Sequence, residues 1–309
     1  MIPARQPAEK PSAEKPAVST SVTSLNWSGV ALTNEVKKFS SASFTDIYSI
    51  LTVPLVQRPF GLTGCDPNLT DVAFVGLDGY IANQAIQPGT TALEGGYYSQ
   101  DDCYGDGTPN PAYWAEFGLF SNGYEDGFNW AFAVNPGDVM YVEVNDGLGG
   151  ENPGYVFLED LTTLTFSPYS VPGPGGPGFI GKSAEWIVSR SCSFDGAEYD
   201  CFPLPNLIAV FFDGGAAQTA NGHVYYPGST AASTAVITMR DDNDTQDIEI
   251  VKQGSAGYEG QHSLWFQTVG CAWSGGCVPG YEGGPASSIG ATRAPGAVNK
   301  NGYPQGEKR

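Results

Sequence analysis

The segment 184–190, with the sequence AEWIVSR, carries two side chains that can take part in proton transfer or nucleophilic attack. Successive side chains of a β-strand point to opposite faces, so Glu185, Ile187 and Ser189 share one face. A carboxylate can act as a general acid or base, whereas a serine hydroxyl needs a neighbouring base before it can attack. Glu185 lies four residues from Ser189, about 13 Å along a strand, which is too far for both to hold one water molecule.

The two histidines do not supply the missing base through any recognisable motif. His223 lies in GHVYY and His262 lies in GQHSLW, and neither segment resembles the surroundings of a catalytic-triad histidine. The small number of histidines and the lack of a CxxC motif also argue against a metal centre. We therefore predict neither a metal ion nor another cofactor.

The six cysteines are an even number, which favours disulfides and an oxidising compartment. We therefore expect an extracellular, secreted protein. Six cysteines allow 15 connectivities, and sequence alone does not select one. Their positions around short loops favour three local pairs, which are Cys65–Cys103, Cys192–Cys201 and Cys271–Cys277.

The composition favours many short strands over helices. The chain of 309 residues has 41 glycines and 23 prolines, with frequent aromatic, threonine and valine residues. Twelve apolar or alternating segments without helical spacers predict an antiparallel all-β sandwich or jelly roll. The predicted strands are 26–32, 43–53, 72–77, 113–120, 128–134, 139–144, 155–160, 183–189, 207–212, 235–239, 248–251 and 263–269.

Charge and low complexity divide the chain into three parts. We predict a disordered arm or propeptide remnant at 1–24, a sandwich domain at 25–280 and a loose tail at 281–309. The formal net charge is −19, and residues 1–24 and 285–309 hold seven of the 14 basic residues. The central region is therefore strongly acidic, which argues against nucleic acid as a partner and fits a protein that works in acid. No apolar run is long enough to span a membrane, so we expect no membrane partner.

Six blocks resemble, in the same order, motifs of the eqolisins, which are acid-active glutamic peptidases. The family motifs include NWSG, WVGIDG, AILQTG, AWYEW and AEWIVED, and Phe74 here replaces a tryptophan of the second motif. The matching blocks are LNWSGVAL at 25–32, FVGLDG at 74–79, AIQPG at 85–89, YWAEF at 113–117, NPGDVMYVEV at 135–144 with FLEDLTT at 157–163, and AEWIV at 184–188.

The resemblance implies a concanavalin A-like sandwich in which one sheet forms a groove for an extended peptide. It places Gln87 on the family's catalytic glutamine, whose amide donates a hydrogen bond to the developing oxyanion. Ser189 stands where the family has the glutamate that takes a proton from water. Arg190 replaces the aspartate that follows this glutamate in the family.

The same resemblance assigns further residues to the substrate cleft. Trp114 and Glu116 match the tryptophan and glutamate of the AWYEW motif. Glu116 is therefore a candidate for a displaced general base, although a role in orienting its neighbours is the simpler interpretation. We also expect Asn26, Asp78 and Glu185, which lie in matching blocks, to contribute to substrate binding.

Three functions remain open at this stage. The protein is an acid endopeptidase that uses Gln87 and a displaced carboxylate such as Glu116, or a non-catalytic relative that binds a peptide or glycan. The third alternative is a structural surface or fibre protein whose arm, 1–24, adds a strand to a neighbouring copy. In the first two cases the expected partner is a polypeptide substrate or ligand.

Overall fold

The computed structural model describes most of the chain between residues 19 and 268. Within this part, no helix is long and apolar enough to cross a membrane. The described residues are 19–24, 26–33, 43–57, 69–80, 91–103, 109–121, 124–145, 154–171, 179–190, 192–194, 199–201, 205, 207, 210–229, 233–240, 246–253 and 264–268.

β-Strands account for most of the described chain, which confirms the predicted all-β fold. The first nine strands are β1 Ser19–Ser24, β2 Trp27–Thr33, β3 Phe44–Thr52, β4 Thr70–Leu77, β5 Thr91–Cys103, β6 Pro109–Ser121, β7 Tyr124–Ala133, β8 Val139–Asn145 and β9 Gly154–Asp160. The others are β10 Thr165–Val171, β11 Ser183–Ser189, β12 Cys192–Phe194, β13 Tyr199–Cys201, β14 Val210–Thr219, β15 Val224–Tyr225, β16 Ser233–Arg240, β17 Gln246–Gln253 and β18 Leu264–Thr268.

The strands form two packed layers along one hydrogen-bonded path. The order is β10-β9-β8-β3-β14-β18-β17-β16-β2-β11-β4-β5-β6-β7, and each neighbouring pair is antiparallel. Strands β4 and β5 pack on β8, and β5 and β6 pack on β9, so the two halves of the path face each other. We call the half from β16 to β7 the site layer.

The main core fills the space between the layers. In β8 and β9 every second residue is buried, as expected for strands with one face on a core and one face outward. The site layer differs, because β4 and β11 are buried along their whole length on both faces. The largest fully buried side chains of the core include Trp186, Tyr97, Phe212, Met140 and Leu158.

Six strands, namely β1, β5, β10, β12, β13 and β15, were not among those predicted, and the sequences of β5 and β10 explain why these two were missed. The Gly95–Gly96 pair and the acidic residues of β5 resemble a turn, yet a Cβ at Gly96 would collide with the backbone of Ala73, so the sheet requires glycine there. Strand β10 contains Pro168, which lacks a backbone N–H. Proline is tolerated because β10 lies at the end of the path, where one edge has no partner among the described strands.

The predicted disordered arm is too long at its C-terminal end. Residues 19–24 form β1, which pairs in parallel with β16 of the same chain, with Ser19 opposite Thr234 and Ser24 opposite Met239. Threonine and valine at alternate positions suit an extended strand at this edge. Strand addition to a second copy by this segment stays a prediction.

Candidate functional site

The surface of the site layer that faces away from the main core carries a second apolar cluster, and we call it the site face. Strand alternation explains the division, since Trp186 and Val188 belong to the main core whereas Ile187 belongs to the second cluster. Glu185 and Ser189 therefore lie on the site face with Ile187, as the sequence predicted. The cluster consists of Ala31, Val72, Phe74, Ile187, Ala235 and Ile237.

Ser189 ends β11 between two apolar neighbours. In the sheet register it lies opposite Trp27 of β2 on one side and Val72 of β4 on the other. Its hydroxyl donates a hydrogen bond to the carbonyl oxygen of Arg190 at 3.3 Å, and the residue is buried. The hydroxyl is therefore engaged with its own backbone, and no carboxylate occupies a directly opposite position.

Asn26 lies close to Ser189, because it precedes Trp27 and its carbonyl oxygen accepts a hydrogen bond from the backbone N–H of Arg190 at 3.0 Å. Its side-chain oxygen accepts a hydrogen bond from the hydroxyl of Ser24 at 3.0 Å. The structure therefore brings Asn26 and Ser189 to the same end of the site face, as the resemblance implied. Whether Asn26 contacts a substrate stays a prediction.

Glu185 is a fully buried carboxyl group beneath the turn that follows β4. Its Oε1 atom accepts a hydrogen bond from the backbone N–H of Tyr80 at 3.1 Å, and its Oε2 atom has no hydrogen-bond partner among the described residues. Burial, and then the nearby Asp78 carboxyl, raise the pKa of Glu185 to about 8. Glu185 therefore keeps its proton in acid and at neutral pH.

Glycines make room for the Glu185 carboxyl. A Cβ at Gly79 would lie 2.5 Å from Oε1, and a Cβ at Gly76 would lie 3.4 Å from the same atom. The sequence VGLDG at 75–79 thus provides the space for a buried acid as well as the turn.

Asp78 connects the end of β4 to the start of β11. Its backbone adopts a positive φ of 65°, and its carboxylate accepts hydrogen bonds from four consecutive backbone N–H groups. Burial raises the pKa of Asp78, while these four bonds act in the opposite direction. A substrate contact by Asp78 would have to replace bonds that hold the turn. The donors are Ile180 at 2.8 Å, Gly181 at 2.9 Å, Lys182 at 2.5 Å and Ser183 at 3.4 Å.

Trp114 belongs to a group of three aromatic rings on the site face. Its ring centroid lies 6.2 Å from that of Tyr98 and 5.3 Å from that of Trp130, and the Tyr98 and Trp130 centroids are 4.8 Å apart. Trp130 is half-exposed. The motif YWAEF predicts a cleft position for Trp114, whereas its proximity to Tyr98 and Trp130 depends on the strand order, which brings β5, β6 and β7 together.

Glu116 is buried on the same face, with both carboxyl oxygens inaccessible to solvent. It lies opposite Trp130 of β7 and opposite Gly96 of β5. Glu94 lies opposite Gly118, so Glu94 and Glu116 are diagonal neighbours on adjacent strands. Side chains at such positions are within reach of each other, with Cβ atoms about 7–8 Å apart or less. Glu94 was not predicted, and alternation along β5 is the signal that places it on this face.

Glu116 does not stand in for a carboxylate at position 189. Strands β4 and β5 lie between β11 and β6, which separates the two strand axes by about 14 Å. Ser189 shares its register row with Val72 and Tyr98, whereas Glu116 shares a row with Gly96 and Phe74. The two residues are thus on one face but at different places.

Several predicted residues lie outside the described part of the chain, namely Gln87, Cys65, Cys271 and Cys277. Of the remaining cysteines, Cys192 and Cys201 lie directly opposite each other in the two-stranded sheet of β12 and β13. This register suits a cross-strand pair, and the disulfides themselves stay predictions. Cys103 is the last residue of β5.

Comparison with protein families decides the family of the chain. The model of the peptidase A4 family matches residues 25–256. The chain belongs to the peptidase A4 family, the eqolisins. The match includes all six sequence blocks and confirms the resemblance on which the sequence analysis relied. Comparison with curated proteins gives no match.

Solved structures agree with the fold of this A4-family chain. Scytalido-glutamic peptidase with a peptide-based transition-state analogue is 19% identical with a TM-score of 0.55, covering 79% of this chain and 98% of that chain. SCP-B, an eqolisin in complex with the tripeptide Ala-Ile-His, is 18% identical with a TM-score of 0.54 and the same coverage. At this level of identity the similarity shows the fold, which is the predicted β-sandwich.

Proposed function

We propose that this A4-family chain is an extracellular, acid-adapted protein whose site face binds an extended polypeptide, and that it lacks the general base of glutamic-type hydrolysis. The observation that carries the proposal is the environment of Ser189. Its register neighbours are Trp27 and Val72, and its hydroxyl bonds to the backbone of Arg190. A hydroxyl in such a setting has no group to take its proton, and it does not itself accept a proton from water.

The other carboxyl groups of the site face do not replace this base. Glu185 lies about 13 Å from Ser189 along β11, and Glu116 lies three strands away. A general base must lie within about 3.2 Å of the proton that it removes, or one water further. Gln87, if it donates to an oxyanion as the resemblance implies, would therefore act without its partner.

Polypeptide binding is supported from two sides. Two structural neighbours are described with a peptide-based analogue and with a tripeptide. The site face carries the partly buried ring of Trp27, whose centroid lies 5.7 Å from that of the buried Phe74, and the aromatic rings near Trp114, of which Trp130 is half-exposed. Apolar and aromatic side chains supply most of the area of ligand sites, and a few placed polar groups give orientation.

Acid adaptation is supported by the buried carboxyl groups. Burial raises the pKa of Asp71 to about 7 and that of Glu185 to about 8. Both groups are protonated, and therefore uncharged, at pH 3–4, where the surface charge of the acidic chain is also reduced. Neither of these two buried groups thus carries a negative charge in acid. The even number of cysteines supports an oxidising, extracellular environment.

The experiment that tests this proposal introduces a carboxyl group at position 189. Full-length wild type and Ser189→Glu are mixed at pH 3–4 with a denatured protein substrate, and cleavage and binding are measured. We expect wild type to bind without appreciable cleavage and Ser189→Glu to cleave about 10²–10⁴-fold faster, the usual contribution of a general base. Ser189→Gln has nearly the same shape without a base and serves as the matched control.

Two results would contradict the proposal. Cleavage by wild type at a rate that Ser189→Ala leaves unchanged would show that hydrolysis uses other residues. A wild-type protein that binds no polypeptide would remove the binding function altogether.

A further inference from the structure

The layer opposite the site layer carries four aromatic rings in a row on the surface that points away from the core, which we call the outer face. The rings of Phe166, Phe157, Tyr141 and Tyr48 belong to the neighbouring strands β10, β9, β8 and β3, and successive ring centroids are 6.2, 6.1 and 6.2 Å apart. Phe166 is 63% exposed, and the other three residues are partly exposed. A group of exposed aromatic side chains on a sheet face indicates a surface that contacts another molecule.

Two partly exposed glutamates alternate with these rings along the register of the strands. Each glutamate has an aromatic residue directly opposite it on both neighbouring strands, and residues in such positions have Cβ atoms about 4.5–5.5 Å apart. The two rows are Phe166–Glu159–Tyr141 and Phe157–Glu143–Tyr48. Rings and carboxyl groups thus form a regular pattern across β10, β9, β8 and β3.

The outer face is negatively charged around the rings. The hydroxyl of Tyr141 donates a hydrogen bond to Oε2 of Glu143 at 2.8 Å. Burial, and then the negative charge of Glu143, raise the pKa of Tyr141. The strands β3, β8, β9 and β10 contain no lysine, arginine or histidine that would neutralise the glutamates. A cation complements this face, because the carboxylate and the electron-rich faces of the flanking rings both attract it.

The spacing of the two glutamates specifies how the cations of a ligand must be arranged. Glu159 and Glu143 are diagonal neighbours on adjacent strands, with Cβ atoms about 7–8 Å apart or less. An extended polypeptide places the side chains of residues i and i+2 on one side, about 6.6–6.8 Å apart. Two basic side chains at i and i+2 therefore reach both glutamates at once, whereas at i and i+1 they point to opposite sides.

Charge and sequence distinguish among the molecules that could bind to this face. Among the 14 basic residues of the chain, no two stand at positions i and i+2, so the chain does not supply the ligand itself. A second copy has the same net charge of −19, which opposes contact between two outer faces. Within the described residues, no group of three His, Cys, Asp or Glu side chains could hold a metal ion. The face therefore fits a different polypeptide with positive charge.

We propose that the outer face is a docking surface for a basic polypeptide, which binds in extended form through two arginine or lysine side chains at positions i and i+2. One cation lies over Glu159 between two rings, and the other lies over Glu143 between the next two. Arginine binds better than lysine, because its planar guanidinium also stacks on aromatic rings. The surface is independent of the site face, since it belongs to the other layer of the sandwich.

The test uses full-length protein and end-blocked peptides of alanine and threonine that carry two arginines at i and i+2, at i and i+1, or at i and i+4. A fourth peptide carries two glutamines at i and i+2, and affinity is measured by calorimetry at pH 6 and low salt. The three arginine peptides have the same charge, so general attraction to an acidic protein is equal for all of them. We expect the i, i+2 peptide to bind about threefold to tenfold more tightly than the other two, and about tenfold or more tightly than the glutamine peptide.

Substitutions on the outer face locate the preference. Phe166→Ala, Glu143→Gln and Glu159→Gln should each reduce the preference for i, i+2 spacing to about twofold or less, while thermal unfolding shows that the fold is kept. Asp213→Asn is the matched control, because Asp213 is also partly exposed but lies opposite Ile50 and not between two rings. This control should weaken binding of the three arginine peptides equally and leave the preference for i, i+2 unchanged.

Three results would overturn the docking surface. Equal affinity for the three arginine peptides would show general attraction to an acidic protein only. A preference that Phe166→Ala and Glu143→Gln leave unchanged would place the binding elsewhere, for example on the site face. Sedimentation that shows a wild-type dimer, and a monomer for Phe166→Ala, would assign the outer face to a second copy. None of these results affects the proposed binding of polypeptides by the site face, which the assays at position 189 test separately.

Discussion

The two faces of the site layer are built from the same strands but differ in how many buried carboxyl groups they contain. On the core face, Asp71 of β4 accepts a hydrogen bond from the hydroxyl of Tyr97 at 2.8 Å, and apolar side chains such as Trp186 surround the pair. On the site face, Glu94, Glu116 and Glu185 lie among apolar and aromatic residues. Among the described buried residues of these strands, the core face thus holds one carboxyl group, that of Asp71, and the site face holds three.

This difference supports the proposal that the site face is the binding face. A buried carboxyl group is destabilising unless it is protonated or bonded, so a domain keeps several of them on one surface only where they have another use. The site face keeps three, yet the position expected for the base of glutamic-type hydrolysis holds Ser189.

Substitution of two tryptophans on opposite faces of the site layer should give the largest difference in stability between the faces. Trp186 is fully buried in the core, so Trp186→Ala should lower the free energy of unfolding by about 3–5 kcal/mol. Trp130 is half-exposed on the site face, so Trp130→Ala should cost about 1 kcal/mol or less while reducing ligand binding. Denaturant unfolding with an independent binding assay measures both quantities. Equal losses of stability would show that the two faces are not distinct in function.

A second prediction concerns pH, because each face has one carboxyl group with a strongly raised pKa. The pKa of Asp71 rises from 3.8 to about 7 through burial, and that of Glu185 rises from 4.5 to about 8. In the unfolded chain both groups lose their protons near pH 4, whereas in the folded chain they keep them until pH 7–8. The unfolded state therefore binds fewer protons in this window, and stability falls as pH rises by about 1.4 kcal/mol per pH unit for each group.

Thermal unfolding between pH 3 and pH 9 tests this prediction. Asp71→Asn should reduce the loss of stability between about pH 4 and 7, and Glu185→Gln should reduce this loss up to about pH 8. Glu159→Gln, at a partly exposed position of β9, removes one charge without removing a buried acid and controls for surface repulsion. Stability that rises with pH through this window, or variants that match wild type in slope, would contradict the assignment.

The sequence predicts the parts of this molecule that depend on local pattern. The face alternation of β11 follows from AEWIVS alone, and Ser189 and Glu185 indeed lie on one face with Ile187. The motif blocks predict the family and the sandwich. Trp114 and Glu116 were also found in this way, since they lie within a matching block.

What the sequence does not show is the lateral order of strands. Strand β11 lies between β2 and β4, which are more than 100 residues away in the chain, and no local pattern encodes that pairing. The aromatic group of Tyr98, Trp114 and Trp130 depends on β5, β6 and β7 being neighbours, so the sequence shows no relation of Tyr98 or Glu94 to Trp114. Strand β5 itself was missed because Gly95 and Gly96 resemble a turn.

Substitution of these two glycines by alanine should give the smallest difference in stability between the core face and the site face. A Cβ at Gly96 would meet the backbone of Ala73, with the Cα of Phe74 at 2.7 Å, and a backbone in the middle of a sheet cannot move aside alone. A Cβ at Gly95 points into the core and meets side-chain atoms, the nearest being a methyl of Val156 at 2.7 Å, which rotation can relieve in part. Overpacking costs about 1–3 kcal/mol, so Gly95→Ala should lie near the lower end and Gly96→Ala near or above the upper end.

Denaturant unfolding of the two variants measures the difference between their free energies of unfolding. Polypeptide binding by the same variants tests whether this difference affects function. Gly96 lies between Phe74 and Glu116 in one register row, so separating β4 from β5 there should shift the carboxyl groups relative to the aromatic rings near Trp114. We therefore expect Gly96→Ala to weaken polypeptide binding as well as stability, whereas Gly95→Ala should affect stability alone. If both variants lose stability and binding to the same extent, the two faces of β5 do not differ in their tolerance of an added side chain.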